Sequence, residues 1–354
     1  MDQLEPVPTG ARDLRHHGGN INEAGRQFPQ APLPWIDLST GINPVPYPVG
    51  PIAAAAWARL PEPGHLAELE DVARRAYGAP DTAGIVAAAG TQALIQWLPR
   101  IVPASRVGVL GLTYGEHETC WRAAGADVTI VPSPDDLAAF DVGVIVNPNN
   151  PDGRLHAPGT LTDLATTLAR NGGRLIVDES FMDVIGPHSS LVPHLPVANA
   201  IVLRSFGKTY GLAGVRLGFA IAAPETTAQL RAAMGPWAVS GPAIEIARQA
   251  LADNEWLTAT ITRLSQEAGR LDRLLQSAGF EIIGGTALFR LARHEHAARW
   301  FDRLCQAGIL TRPFRARPTW LRLGIPHAPE DWARLQAALE GPLASWQASK
   351  DGSF

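Results

Sequence analysis

Ser205-Phe206-Gly207-Lys208-Thr209-Tyr210-Gly211-Leu212-Ala213-Gly214-Val215-Arg216 sets one lysine among small residues, with a hydroxyl on one side and an arginine on the other. The flanking runs, Ala200-Ile201-Val202-Leu203-Arg204 and Leu217-Gly218-Phe219-Ala220-Ile221, are short, apolar and partly β-branched, and so predict buried strands. Lys208 is therefore expected on a loop at a sheet edge. Taken alone it reads as an ordinary loop lysine, but its neighbours argue otherwise. Glycines let a flat ring approach the backbone closely, and a hydroxyl with a planar guanidinium suits a phosphate. That combination is expected where a lysine carries pyridoxal phosphate.

Upstream, Arg174-Leu175-Ile176-Val177-Asp178-Glu179 is an apolar run that ends in acid, placing Asp178 at the carboxyl end of a strand, where α/β sheets bind ligands. A carboxylate there can keep a pyridine nitrogen protonated and so make the ring an electron sink. Read singly, Asp178 could equally be a helix N-cap or a solvated loop acid. Val142-Gly143-Val144-Ile145-Val146 runs out into Asn147-Pro148-Asn149-Asn150-Pro151-Asp152-Gly153, an ordinary turn composition in which Asn150 could donate to a phenolic oxygen. Gly84 to Ala89 reads as a small-residue strand, and Gly90-Thr91-Gln92 opens a helical run from Ala93 to Arg100 whose first N–H groups could cradle a phosphate.

In this order the four pieces resemble the fold-type I pyridoxal-phosphate enzymes, within them the aminotransferase branch that includes histidinol-phosphate aminotransferase. The resemblance spans most of the chain. It implies an α/β fold: a large domain with a mostly parallel sheet flanked by helices, and a smaller α/β domain built from the N- and C-terminal segments. It also implies Lys208 as the Schiff-base lysine, Asp178 on the pyridine nitrogen and Asn150 on the phenolic oxygen. Gly90, Thr91, Ser205 and Arg216 would surround the cofactor phosphate, with Gln92 beside them. Tyr114, in Leu112-Thr113-Tyr114-Gly115-Glu116-His117, matches the residue stacked on the ring, although a tyrosine after a strand could equally be core.

Two departures narrow the resemblance. Where aminotransferases usually show Asp-Glu-Ala-Tyr, this chain has Asp178-Glu179-Ser180-Phe181, so a hydroxyl is missing that phenylalanine cannot replace. The N-terminus carries His17-Gly18-Gly19-Asn20 and then Ser39-Thr40-Gly41-Ile42-Asn43-Pro44. Together with Phe181 these elements are similar to those of the threonine-phosphate decarboxylases of cobalamin biosynthesis. That similarity implies decarboxylation of O-phospho-L-threonine to (R)-1-amino-2-propanol phosphate; the alternative is an aminotransferase such as histidinol-phosphate aminotransferase. It implies substrate contacts from His17, Gly18, Ser39, Gly41, Asn150, Arg312 and Arg322, with one arginine on phosphate and one on carboxylate. Arg315 and Arg317 follow Arg312 closely, and any of the three could reach the phosphate. Relatives often carry Tyr where Leu60 stands, a residue reaching the cofactor phosphate from the partner subunit, so a homodimer is implied while that contact is not.

With 354 residues, of which 46% are hydrophobic, the chain can bury a large core. The segments expected are residues 1–48 packing with the small domain, 49–252 as the cofactor-binding domain, 253–346 as the small domain and 347–354 as a tail. Apolar spacing in Glu255 to Ser277 predicts one long helix, and alternation predicts strands at Phe280 to Ile283, Ala287 to Leu291 and Leu321 to Leu323. A net charge of −4 offers no case for nucleic acid, and two cysteines without metal spacing imply neither a disulfide framework nor a zinc site. Membrane spans and secretion signals are not expected, and the cytoplasm is the default compartment.

Overall fold

The computed structural model describes residue 14 and residues 18–197, 199–341 and 343. They divide into two compact units, one of Ile42–Gln266 with Gly285–Leu288, the other of the segments ending at Gly41, Glu267–Gly284 and those from Phe289 onward. Numbered along the chain, β1 (Ile36–Asp37) belongs to the second unit. In the first, β2 (Gly84–Ala88), β3 (Arg106–Leu110), β4 (Asp127–Val131), β5 (Val142–Val146), β6 (Arg174–Asp178), β7 (Ala200–Ser205) and β8 (Gly218–Ala222) form a seven-stranded sheet in the order β2-β8-β7-β6-β5-β3-β4.

Only β8 runs against its neighbours; β3 to β7 are paired in parallel. Strands covered on both faces need apolar side chains in both directions, which is why these segments read as continuous apolar runs rather than alternating ones. Val177, Val202, Phe219 and Ile221 pack one face together with Leu161, Leu164 and Leu168 from the helix Pro158–Arg170. Ile176, Ile201, Leu203 and Ala220 pack the other with Leu94, Leu98 and Trp121.

This topology brings the chemistry to one edge. Gly90 follows β2, Tyr114 follows β3, Asn150 follows β5, Asp178 ends β6 and Ser205 ends β7. Arg216 precedes β8, whose reversed direction puts its start at that same edge.

Beneath that edge lies a buried ionic cluster. Glu179 accepts from Arg204 Nη1 at 3.0 Å, from Ser190 Oγ and from the Leu191 amide, and Arg204 Nη2 donates to Asp183. The guanidinium lies 4.4 Å over the Tyr77 ring. Burial opposes the Arg204 charge, but Asp183 and Glu179 outweigh it and raise its pKa; burial likewise pushes the Glu179 carboxyl up despite Arg204. Removing one member strands the others without water, so Arg204→Met is expected to destabilise the fold by about 3–5 kcal/mol. A denaturant titration checks this, and an unchanged midpoint would refute it.

The second unit holds a four-stranded antiparallel sheet in the order β12-β13-β10-β9, from β9 (Glu281–Thr286), β10 (Phe289–Arg293), β12 (Arg312–Pro313) and β13 (Trp320–Gly324), while β11 (Ile309–Leu310) pairs in parallel with β1. The amphipathic helix Ala297–Gln306 buries Trp300, Phe301, Leu304 and Cys305. Residues 42–48 and 253–266 group with the large sheet, because Asn43 and Tyr47 donate to the Lys208 and Tyr210 carbonyls and Trp256 stacks on Tyr210. The boundary falls inside the long helix Asn254–Ser277. No helix among the described residues is long and apolar enough to cross a membrane.

Candidate active site

At the carboxyl edge of the large sheet lies a cavity of about 210 Å³ lined by Gly90, Thr91, Gln92, Tyr114, Asn150, Asp178, Ser205, Lys208 and Arg216, with Ile42, Ser180 and Phe181 among the others. Lys208 does not sit on a loop at a sheet edge. It lies on the short helix Phe206–Thr209 that follows β7, and β7 is an interior strand between β6 and β8. The helix forms because the chain must turn back directly from β7 toward β8. Its Nζ stands 4.6 Å from the centre of the Phe181 ring.

Asp178 is 3% exposed. Its Oδ1 accepts from the Ser180 amide and hydroxyl, and its Oδ2 lies 3.0 Å from His117 Nε2. Burial alone would raise this carboxyl, but the hydrogen bond and charge of His117, then the Ser180 hydroxyl and the charge of Lys208, outweigh it and hold the pKa below its ordinary value. His117 is a buried partner of Asp178 that the sequence reading did not single out. It is the second residue of the helix Glu116–Ala123 and is fully buried, so a histidine three positions after Tyr114 on a pocket-bound helix start was the available signal.

Asn150 is presented by its neighbours. Asn147 exchanges hydrogen bonds with the backbone of His156, and Asn149 accepts from Thr113 Oγ1 and donates to the Leu112 carbonyl and to Asp152. Both side chains are consumed in shaping the turn, and the third asparagine lines the cavity. Tyr114 Oη donates to Gln92 Oε1 at 3.1 Å, and Gln92 Nε2 donates to Glu116 at 2.8 Å, a relay that holds the ring of Tyr114 in orientation.

The remaining wall suits a phosphate. Gly90 caps the helix Thr91–Ile101 at φ 84°, leaving first-turn N–H groups directed outward. A Cβ at Gly90 would come within 2.8 Å of Arg216 Nη2 and would sit on a backbone at φ 84°, which glycine adopts without strain. An amine, a buried carboxylate, an amide donor and a cradle of N–H groups, hydroxyls and guanidinium together fit pyridoxal phosphate. Among the described residues no cluster of histidine, cysteine, aspartate and glutamate could hold a metal.

The other sequence candidates lie in the second unit, except His17, which falls outside the described residues. Arg312 and Arg322 are directly opposite on β12 and β13. Arg322 is buried over the Phe289 ring, and its Nη2 donates to the Ser39 carbonyl at 2.8 Å. Burial, and next the facing Arg312, push Arg322 down to about 9 against the opposing pull of Asp37. Like charges paired across strands are unfavourable, and an anion between them would relieve both. Arg315 and Arg317 are exposed, the latter 5.7 Å over Trp320, which leaves Arg312 as the one of the three that faces Arg322. The Ser39 hydroxyl donates to Asp37 and accepts from the Gly19 amide, and a Cβ at Gly18 would run into the Ser39 carbonyl. Gly41 is buried at the end of this segment.

Comparison with known proteins agrees with this geometry. The family model described as aminotransferase class I and II matches residues 52–339. A threonine-phosphate decarboxylase from a Sinorhizobium species is 44% identical, over 91% of this chain and 97% of that protein. Another, from Pseudomonas aeruginosa, is 43% identical over 93% and 98%. The crystal structure of histidinol-phosphate aminotransferase from Sinorhizobium meliloti in complex with pyridoxal-5'-phosphate superposes with a TM-score of 0.77 at 20% identity, over 91% of this chain and 93% of that one. With a parallel sheet carrying lysine, aspartate and asparagine at one edge, and with relatives matched along nearly its whole length, the chain belongs to the class I and II aminotransferase family, in its threonine-phosphate decarboxylase branch.

Proposed function

We propose that this protein is a pyridoxal-phosphate-dependent decarboxylase that converts O-phospho-L-threonine to (R)-1-amino-2-propanol phosphate and carbon dioxide, a step of cobalamin biosynthesis. The observation that carries this reading is the cavity in which Lys208 and Asp178 meet with Phe181, not tyrosine, as the wall beside the amine. When bound, pyridoxal phosphate supplies an electron sink for the pair left at the substrate Cα as the carboxylate carbon departs.

The chain's own groups do the rest. Asp178, held ionised by His117 and Ser180, keeps negative charge on the pyridine-nitrogen side of the cavity. Asn150 would donate to the phenolic oxygen, Tyr114 with Gln92 would support the ring face, and Gly90, Thr91, Ser205 and Arg216 would bind the phosphate. Lys208 would hold the cofactor through its ε-amine and is placed to deliver a proton to the substrate Cα. Phe181 closes the wall with an apolar ring and offers no proton there.

Arg322 takes the substrate carboxylate and Arg312 its phosphate, with His17, Gly18, Ser39 and Gly41 completing the substrate contacts. The protein works in the cytoplasm as a homodimer, for which Trp57 and Leu60, 68% and 65% exposed, offer apolar surface.

The test is incubation of the cofactor-loaded protein with O-phospho-L-threonine in the absence of any oxo acid. Carbon dioxide and the amino alcohol phosphate are expected in equal amounts. Glutamate formed from histidinol phosphate and 2-oxoglutarate, with no carbon dioxide from the phosphothreonine, would instead assign an aminotransferase. In the same assay Arg322→Lys loses a planar, two-pronged contact; hydrogen bonds to charged groups contribute about 1.5–3 kcal/mol, so kcat/KM should fall by roughly 10- to 150-fold. An unchanged kcat/KM would remove Arg322 from the substrate site.

A further inference from the structure

Within the cavity-bearing unit, one segment grips the turn that carries Lys208. The Asn43 amide donates to the Lys208 carbonyl at 2.8 Å, Asn43 Nδ2 donates to the Thr209 carbonyl at 2.9 Å, and the Tyr47 amide donates to the Tyr210 carbonyl at 2.9 Å. A helix leaves its last carbonyls without internal donors, and Phe206–Thr209 is so short that its orientation depends on donors from elsewhere. Locally, the Lys208 carbonyl also accepts from the Tyr210 amide and, at 3.3 Å, from the Gly211 amide. Asn43 thus adds a donor to each of two successive peptides, the lysine's own and the next, and ties both to one segment from outside the turn.

Asn43 is itself held. It is 2% exposed, and its Oδ1 accepts from Arg263 Nη2 at 2.7 Å and from the Val45 amide at 3.0 Å. Two donors on Oδ1 oblige the other end of the amide to be the NH₂ group that faces the Thr209 carbonyl. Aspartate could keep the Arg263 contact but would turn an acceptor toward that carbonyl. The approach is close: a Cβ at Gly211 would lie 2.7 Å from the Asn43 carbonyl. On the other side Tyr210 is stacked between Phe206 and Trp256, with ring centres 4.6 and 5.5 Å away, so apolar packing clamps what the hydrogen bonds orient. Ile42, next to Asn43, lines the cavity.

We infer that Asn43, braced by Arg263, is a positioning residue for Lys208: it fixes the peptide that carries the lysine and thereby the direction from which the ε-amine enters the cavity. The inference rests on Lys208 as the amine that carries the cofactor. Asn43 acts through the lysine rather than on the cofactor or the substrate, so its loss falls on the geometry of proton delivery and not on substrate affinity. A misplacement of order 1 Å costs about 10²-fold in rate, which sets the scale expected for kcat.

The test compares wild type, Lys208→Ala, Asn43→Asp and Arg263→Met, each loaded with pyridoxal phosphate, at a temperature well below their melting transitions. The readouts are visible circular dichroism per bound cofactor and steady-state carbon dioxide release from O-phospho-L-threonine. For Asn43→Asp a weakened dichroic band and a kcat lower by about 10²-fold are expected, with KM within about 3-fold of wild type. Arg263→Met, which removes the brace while keeping Asn43, should move the same quantities in the same direction by roughly 10-fold in kcat. If Asn43→Asp does not fold, Arg263→Met decides the question. A wild-type band and kcat in both folded variants, or a change confined to KM, overturns the inference while leaving Lys208 in place. A wild type without a visible lysine-bound band, or one whose band survives in Lys208→Ala, overturns the reading of the lysine and the role of Asn43 with it.

Discussion

Lys208→Ala is expected to lower carbon dioxide release from O-phospho-L-threonine by about 10⁴-fold, because in the proposed reaction one side chain both carries the cofactor and transfers the proton. The cradle of Gly90, Thr91, Ser205 and Arg216 does not depend on the amine, so the variant should still retain pyridoxal phosphate without the visible signature of its lysine adduct. Equilibrium dialysis against the cofactor, together with a carbon dioxide assay, separates the two effects. The fold should be unaffected, since the turn is held through backbone carbonyls and the Phe206 and Tyr210 rings rather than through the lysine side chain. Turnover within about 10-fold of wild type would exclude Lys208 from the chemistry.

Asp178→Asn is expected to lower turnover by about 10²–10³-fold, the size of effect found when a preorganised charge opposite a developing one is removed. The amide keeps the acceptor for Ser180 but carries no charge toward the ring nitrogen, so the loss should fall on kcat more than on KM. His117 then faces a neutral partner. Measured as a pair, Asp178→Asn and His117→Asn should be less than additive, because the histidine acts through the carboxylate. Additive losses would mean that His117 has another role.

The same carboxylate carries a pH signature. Its folded-state pKa lies below the ordinary value of 3.8, so the stability contributed by its ionised form is complete above the unfolded value and is lost as the pH falls through the folded one. Stability differences between wild type and Asp178→Asn should therefore shrink as the pH falls below about 5 into stronger acid. Thermal melts across that range measure it.

Much of the site is legible in the sequence because its signals are local. Lys208 stands out through the glycines and the arginine after it, and Asp178 through its place at the end of an apolar run; both follow from the residues within a turn or two. The helix Pro329–Leu339 and the strands around Leu203, Phe219 and Leu323 are legible for the same reason, since side-chain period and turn residues are written along the chain. The two-residue strands β1, β11 and β12 are not, because so short a pairing has no period of its own and exists only through its partner.

The mostly parallel α/β sheet and the carboxyl edge at which the proposed lysine and its carboxylate meet were determined by the sequence itself, through apolar runs and turn composition that act over a few residues. Tertiary structure alone decided which groups support them. His117 meets Asp178 across 61 residues, Arg312 is set against Arg322 by strand register, and Asn43 reaches Thr209 across 166 residues. Those encounters come from how strands and helices pack, and a hydrogen bond between distant residues leaves no periodic trace in either segment that makes it.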